Sequence, residues 1–304
     1  MELSDPATRG SRHMAARLWA HRSLLFTLVK RDLKIRYKST ALGFLWSFGK
    51  PLLLMLVIWA VFTVFVRIPS SHPWLPYPLH ILTALLPWMF LSSSLNEALF
   101  AIRGNSGVIK KVWVPPEVFP VATVISNLVH LVLANMALAL IIGAYALLGH
   151  APATGEPLGT MVLPGWEIIF LPVLVVLQTL FILGIALVIS SLNVFYHDVA
   201  SITEIVLSAW FYLTPVIYAS NFARGQLEAR GLSLVYWVYL CNPMTSITIG
   251  YRRVIYGQLF RHGPEVHDAT LLKGLGVSAL VTLLLLWAGA TLFSRMSRRF
   301  ADEL

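Results

Sequence analysis

The stretch Lys30–Pro51, KRDLKIRYKSTALGFLWSFGKP, changes character halfway along. Its first half carries Lys30, Arg31, Lys34, Arg36 and Lys38, and after Pro51 the chain runs from Leu52 to Val66 without a charge. A cationic surface helix feeding directly into an apolar run predicts where a membrane protein enters the bilayer from the cytoplasmic face. Residues 21–38 predict an amphipathic helix. Leu25, Val29, Leu33 and Tyr37 recur at four-residue steps on one face, while Arg31, Lys34 and Lys38 share another. Asp32 stands four residues before Arg36, the favourable order for a helical ion pair.

Bulk composition extends this reading to the whole chain. Of 304 residues, 57% are hydrophobic and 12% charged, and the mean hydropathy is +0.74. Soluble domains carry roughly 25% charged residues, so this chain has too little charge to coat a soluble exterior. The net charge of +9 admits a nucleic-acid reading, but basic residues that orient a membrane protein account for it better, and no nucleic-acid partner is expected. The one cysteine, Cys241, excludes an internal disulfide and cannot build a metal site alone; it reads as a small buried apolar residue. The polar, basic leader is too long to be a cleavable signal peptide.

Six segments are long and apolar enough to span a bilayer: about 44–66, 79–102, 118–148, 166–192, 199–219 and 271–294. Six spans put both termini on one side. That side collects sixteen Lys and Arg against seven on the other, which predicts cytoplasmic termini. The predicted organisation is a cytoplasmic tail and interfacial helix over 1–43, a transmembrane domain over 44–294 and a tail over 295–304. Six of the seven outer charges fall within 220–273, around an apolar piece, Leu232 to Tyr251, broken by Asn242-Pro243. As a seventh span it would strand Arg295, Arg298 and Arg299 outside. It reads better as a re-entrant or interfacial hairpin over about 220–251, since irregular backbone at depth survives when buried in protein or lining a water-filled cavity; an ordinary outer loop is the alternative. The expected fold is thus an all-α membrane protein with six transmembrane helices, an N-terminal interfacial helix and an outer hairpin before the last span.

No bond-making site is legible. Gly43–Pro51 imitates a phosphate loop but spaces its glycines by five residues instead of four and puts Pro51 where Ser or Thr should hold magnesium. There is no HExxH, and no GxGxxG opens a helix. Ionisable groups near the spans (Lys50, Glu97, Asp198 and Glu204) cluster toward the cytoplasmic interface, whereas ion-coupled transporters place binding groups near the midplane. Energy for transport must then come from another chain.

The residues Arg31-Asp32-Leu33-Lys34-Ile35-Arg36-Tyr37-Lys38, followed by Ser39 or Thr40, Leu42-Gly43 and Trp46, resemble the permease subunits of ABC-2 type exporters. The closer likeness is to the branch that exports lipid-linked polysaccharides such as O-antigen and teichoic acid. Lys110-Lys111-Val112-Trp113-Val114-Pro115-Pro116-Glu117 and Asn193-Val194-Phe195-Tyr196-His197-Asp198-Val199 resemble that family's two cytoplasmic loops, and Asn242-Pro243 also recurs in it. His197-Asp198 stands where many relatives have Arg-Asp. The resemblance implies a homodimeric channel in the inner membrane of a bacterium, bound to two copies of a separate ATPase. That ATPase holds ATP and magnesium; this chain binds no cofactor and no metal of its own. The resemblance also implies a docking helix, placed here at Val108, Ile109, Lys110 and Lys111.

Two further assignments join residue chemistry to that resemblance. Arg31, Lys34, Arg36 and Tyr37 form either a plain membrane anchor or an entrance that recognises a lipid phosphate on the substrate. Trp59, Phe62, Trp210, Tyr212 and Tyr218 either pack and sit at interfaces or line a channel on which sugar rings stack. Two other functions remain open: export of a drug or small hydrophobic molecule, and a membrane-embedded glycosyl or lipid transferase.

Overall fold

The computed structural model of the chain describes residues 14–37, 46–62, 77–111, 114–148, 164–256 and 266–304. Among them every regular element is helical. A short α1 (Met14–Ala20) leads into α2 (Arg22–Tyr37), and α3 (Trp46–Val61) and α4 (Tyr77–Leu99) follow. A 3-10 turn at Arg103–Asn105 opens into α5 (Ser106–Ile109), ahead of α6 (Val118–Leu148). A second such turn at Trp166–Phe170 leads into α7 (Leu171–Phe195), then α8 (Asp198–Leu213). Three shorter helices come next: α9 (Ser220–Ala229), α10 (Ser233–Leu240) and α11 (Pro243–Ile255). The long α12 (Asp268–Met296) and a terminal α13 (Phe300–Glu303) complete the chain.

Four helical segments are long and apolar enough to cross a bilayer: Tyr77–Leu99, Val118–Leu148, Trp166–Phe195 and Asp268–Arg299. They match the second, third, fourth and sixth expected spans within a few residues. The expected first span is represented by α3, whose continuation beyond residue 62 lies outside the described residues. The expected fifth span is shorter than its apolar run suggests. Helix α8 stops at Leu213, and Thr214 is extended, because a residue before proline is pushed out of the α region and Pro215 follows.

Helix α4 is the hub, buried on nearly every face and packed by α3, α6, α7, α8 and α11. The most extensive pairing is between α7 and α12. There Gly184 and Gly289 let two backbones touch: a Cβ on Gly289 would lie 2.5 Å from the Gly184 carbonyl oxygen. Small residues that bring backbones together drive helix association in lipid.

Helix α11 is enclosed by α4, α7 and α12, and eleven of its thirteen residues are buried. Its Asn242-Pro243 start follows capping chemistry. Asn242 Oδ1 accepts from the Met244 N–H at 3.1 Å, and Pro243 occupies the first helical position, where a missing N–H costs nothing. The Pro243 carbonyl faces Ser278, while Arg253 near the other end of α11 pairs with Asp268 at 3.0 Å. Ser278 lies ten residues into α12, so α11 begins about 15 Å along that helix from its first residue.

Candidate functional site

Two ends of the bundle carry the chemistry. At the basic end, Leu28 and Val29 of α2 are buried, with Leu24, Leu25 and Leu33 partly so, against Ala101, Ile102, Val118, Phe119 and Ala122. The face differs from the expected four-residue stripe by the addition of Leu28 and Leu24. Arg17 of α1 pairs with the buried Glu117 at 2.8 Å. Arg103 donates to the Val194 carbonyl at 3.0 Å, and Phe195 packs on Phe300. The N-terminal helices, the segments 103–111 and 114–117, the α7–α8 junction and the C-terminal turn therefore meet in one layer.

The candidate entrance cations lie in this layer. Arg36 donates to Glu97 Oε1 at 2.5 Å and to Asn127 Oδ1 at 3.3 Å, and Asn127 donates to Glu97 Oε2 at 2.7 Å. The expected Asp32–Arg36 pair gives way to this ring. Asp32 instead receives Arg31 at 3.0 Å, and Arg31 also reaches Asn105 at 3.0 Å. A carboxylate and an amide fixed on two packed helices offer Arg36 more than one flexible neighbour can. Lys34 is exposed, and the Tyr37 side chain lies outside the described part of the structure.

The candidate docking segment forms one helical turn, Ser106–Ile109, with Lys110 and Lys111 in the turn that follows it rather than in the helix. Val108, Lys110 and Lys111 are exposed, whereas Ile109 turns inward onto the α2 cluster. The phosphate-loop lookalike is helical from Trp46 through Pro51, so its described part forms no cradle.

At the opposite end, beside α11, the irregular corner 214–219 is almost wholly buried. Side chains satisfy two of its carbonyls. Tyr77 donates to Ile217 at 2.7 Å, and Arg252 donates to Val216 at 3.1 Å and to the His80 carbonyl at 3.4 Å. Arg252, counted in the sequence among the charges of 220–273, is 1% exposed. Nearby, Tyr251 donates to Gln178, and Gln178 donates to the Pro87 carbonyl. Gln178 and Asn127 escaped the sequence reading, although an amide inside an apolar span was a legible signal.

The candidate channel aromatics separate. Trp210 packs edge-on against Trp88 and Phe181 and donates its indole N–H to Asn242 at 2.9 Å. Trp210 and Tyr218 line an open, mainly apolar cleft of about 570 Å³ with Phe222, Tyr239 and Asn242. Tyr212 on α8 is exposed, as is Trp59 on α3, and Phe62 is partly buried. Cys241, in the turn between α10 and α11, is exposed rather than buried. On α9, Arg224 donates to the Glu228 carboxylate, 2.7 Å away.

Comparison with known proteins gives this arrangement its context. Residues 23–256 match the ABC-2 type transporter family. The chain is 32% identical over 289 residues to the O-antigen export system permease protein RfbA of Myxococcus xanthus, covering 94% of this chain and 97% of that one. A protein of the same description from Klebsiella pneumoniae is 26% identical over 281 residues, with 92% and 95% covered. With its apolar helices and a family match across most of its length, this chain belongs to the ABC-2 type transporters and is a multi-pass membrane protein.

Proposed function

We propose that this chain is the channel-forming membrane subunit of an exporter that moves a lipid-linked polysaccharide across the inner membrane, powered by a separate ATPase chain. The observation that carries this reading is the end-to-end similarity to O-antigen export permeases. Two copies pair around the passage, and two ATPase chains bind below. The basic end faces the cytoplasm, in keeping with the positive-inside rule. Helices α3, α4, α6, α7, α8 and α12 are the six spans, and α9–α11 form the outer re-entrant hairpin. The burial of α11 among three helices supports the hairpin, because a short helix with irregular ends is tolerated at depth inside protein.

Arg31, Lys34, Arg36 and Tyr37 mark the substrate entrance, and Val108, Lys110 and Lys111 face the ATPase, which holds ATP and magnesium. The cleft beside Trp210 and Tyr218 belongs to the outer part of the passage.

Depletion of the protein in its host tests the reading. Lipid-linked glycan is expected to accumulate on the inner leaflet and to clear on re-expression. Unchanged glycan, with cells sensitised to hydrophobic drugs instead, overturns the polysaccharide assignment. ATP hydrolysis by this chain alone overturns the subunit assignment.

A further inference from the structure

The two halves of α2 are held by different forces. Leu28 and Val29 anchor its N-terminal half in the apolar cluster. Beyond them, Leu33 is half-buried, Lys30, Lys34 and Ile35 face outward, and the directional contacts are Arg31 to Asn105 and the ring of Arg36, Glu97 and Asn127. The ring ties α2 to both α4 and α6. Its charged side chains remain wet, with Arg36 35% and Glu97 40% exposed. Asn127 is buried, but its amide nitrogen also donates to the Thr123 carbonyl at 3.0 Å. When Arg36 leaves, Asn127 Oδ1 gives up its 3.3 Å bond, but the Asn127 N–H donors stay partnered and Glu97 keeps Asn127 and water. The ring therefore opens without stranding a buried charge. One half of the helix is fixed by burial; the other rests on the half-buried Leu33 and is clipped by a reversible ionic contact.

We propose that this ring is a latch. Glu97 and Asn127 are positioning residues that hold the C-terminal half of α2 on the bundle. During the ATP-driven cycle the ring opens, and that half swings about the Leu28–Val29 anchor. The cycle itself rests on the exporter reading above; the holding role of the ring does not.

Spin labels on the full-length protein, co-purified with its ATPase in phosphatidylethanolamine–phosphatidylglycerol nanodiscs, test this. In a Cys241→Ser background, a label at Ile35→Cys reports the clipped half and one at Phe26→Cys the anchored half; the two side chains are similarly exposed, at 66% and 69%. Without nucleotide, Glu97→Gln and Arg36→Gln are expected to raise the mobile spectral fraction at position 35 about twofold or more and leave position 26 unchanged, while Glu97→Asp, which keeps the charge, stays closer to the parent. With an intact ring, ATP and magnesium are expected to raise the mobile fraction at position 35 alone. Equal loosening of both positions, or no loosening at 35, overturns the latch whatever the chain exports. An immobile position 35 while ATP is being hydrolysed overturns its opening. A complex without ATPase activity overturns the exporter reading instead, and the nucleotide-free comparison still judges the ring.

Discussion

Replacing Gly289 by alanine adds one methyl group where the backbones of two long helices touch. The new Cβ would sit 2.5 Å from the Gly184 carbonyl oxygen, with Gly184 C and Leu187 Cβ both at 3.4 Å. A carbon–oxygen contact settles at about 3.4 Å, so α7 and α12 must separate by roughly 1 Å. The obstacle is backbone on a packed helix, which cannot rotate away as a side-chain tip could. Overpacking of this kind costs about 1–3 kcal/mol, against a gain of up to about 1 kcal/mol from the better helix propensity of alanine.

Gly276 lies on the same helix, and a methyl group added there would meet nothing within 4 Å, so Gly276→Ala takes the propensity gain without the clash. Thermal unfolding of the detergent-solubilised protein, followed by tryptophan fluorescence, is expected to rank Gly276→Ala at or above the parent and Gly289→Ala below both. The gap is expected to be a few degrees, on the scale of about 2 °C per kcal/mol for a chain of this size. Equal midpoints for the two variants would refute the claim that close backbone packing of α7 on α12 sets stability.

Two further outcomes follow from particular contacts. Arg252→Met leaves the Val216 and His80 carbonyls without a donor they now have, at about 1–3 kcal/mol for each buried group left unpaired; the same fluorescence assay should show a loss larger than that of Gly289→Ala, and Arg252→Lys should recover part of it. Lys110→Glu with Lys111→Glu reverses two exposed charges on the proposed ATPase-facing segment; the double variant should keep its thermal midpoint but retain about tenfold less ATPase on co-purification, equivalent to about 1.4 kcal/mol, and unchanged retention would move the docking surface elsewhere.

The spans were legible where a charge-free run met hard punctuation. Pro116-Glu117 before Val118 fixed the start of α6, and Asp268 set the start of α12 three residues ahead of the apolar run itself. Hydropathy misjudged α8, because Val216 and Ile217 continue the apolar run after Pro215 has ended the helix; the proline was the better guide. Asn242-Pro243 was readable as a break, and its cap geometry explains why α11 begins there. Side-chain partnerships across long stretches of sequence were not readable. Arg36 meets Asn127 ninety-one residues away and Arg252 meets Val216 thirty-six residues away, and nothing in local spacing announces either. The periodicity of α2 identified its buried side but could not choose between Asp32 and Glu97 as the partner of Arg36.

These partnerships differ in kind between the two ends of the bundle, and the difference bears on which parts can move. At the α11 end, Tyr77 and Arg252 donate to backbone carbonyls of an irregular, buried corner. Pulling either of them away exposes a bare carbonyl to an apolar surrounding, which is expensive, so the corner, α11 and the start of α4 should travel together as one block. At the basic end the contacts that hold the C-terminal half of α2 include charged or amide side chains that water can reach, as in Arg36 with Glu97 and Arg31 with Asn105. Exchanging such partners for water costs little. An exporter driven from a cytoplasmic ATPase needs its most compliant contacts near the point where force is applied and a stiff unit where the far exit is gated. The chemistry of the two clasps distributes stiffness in that order, so α2 is the element whose displacement should precede any movement of the hairpin.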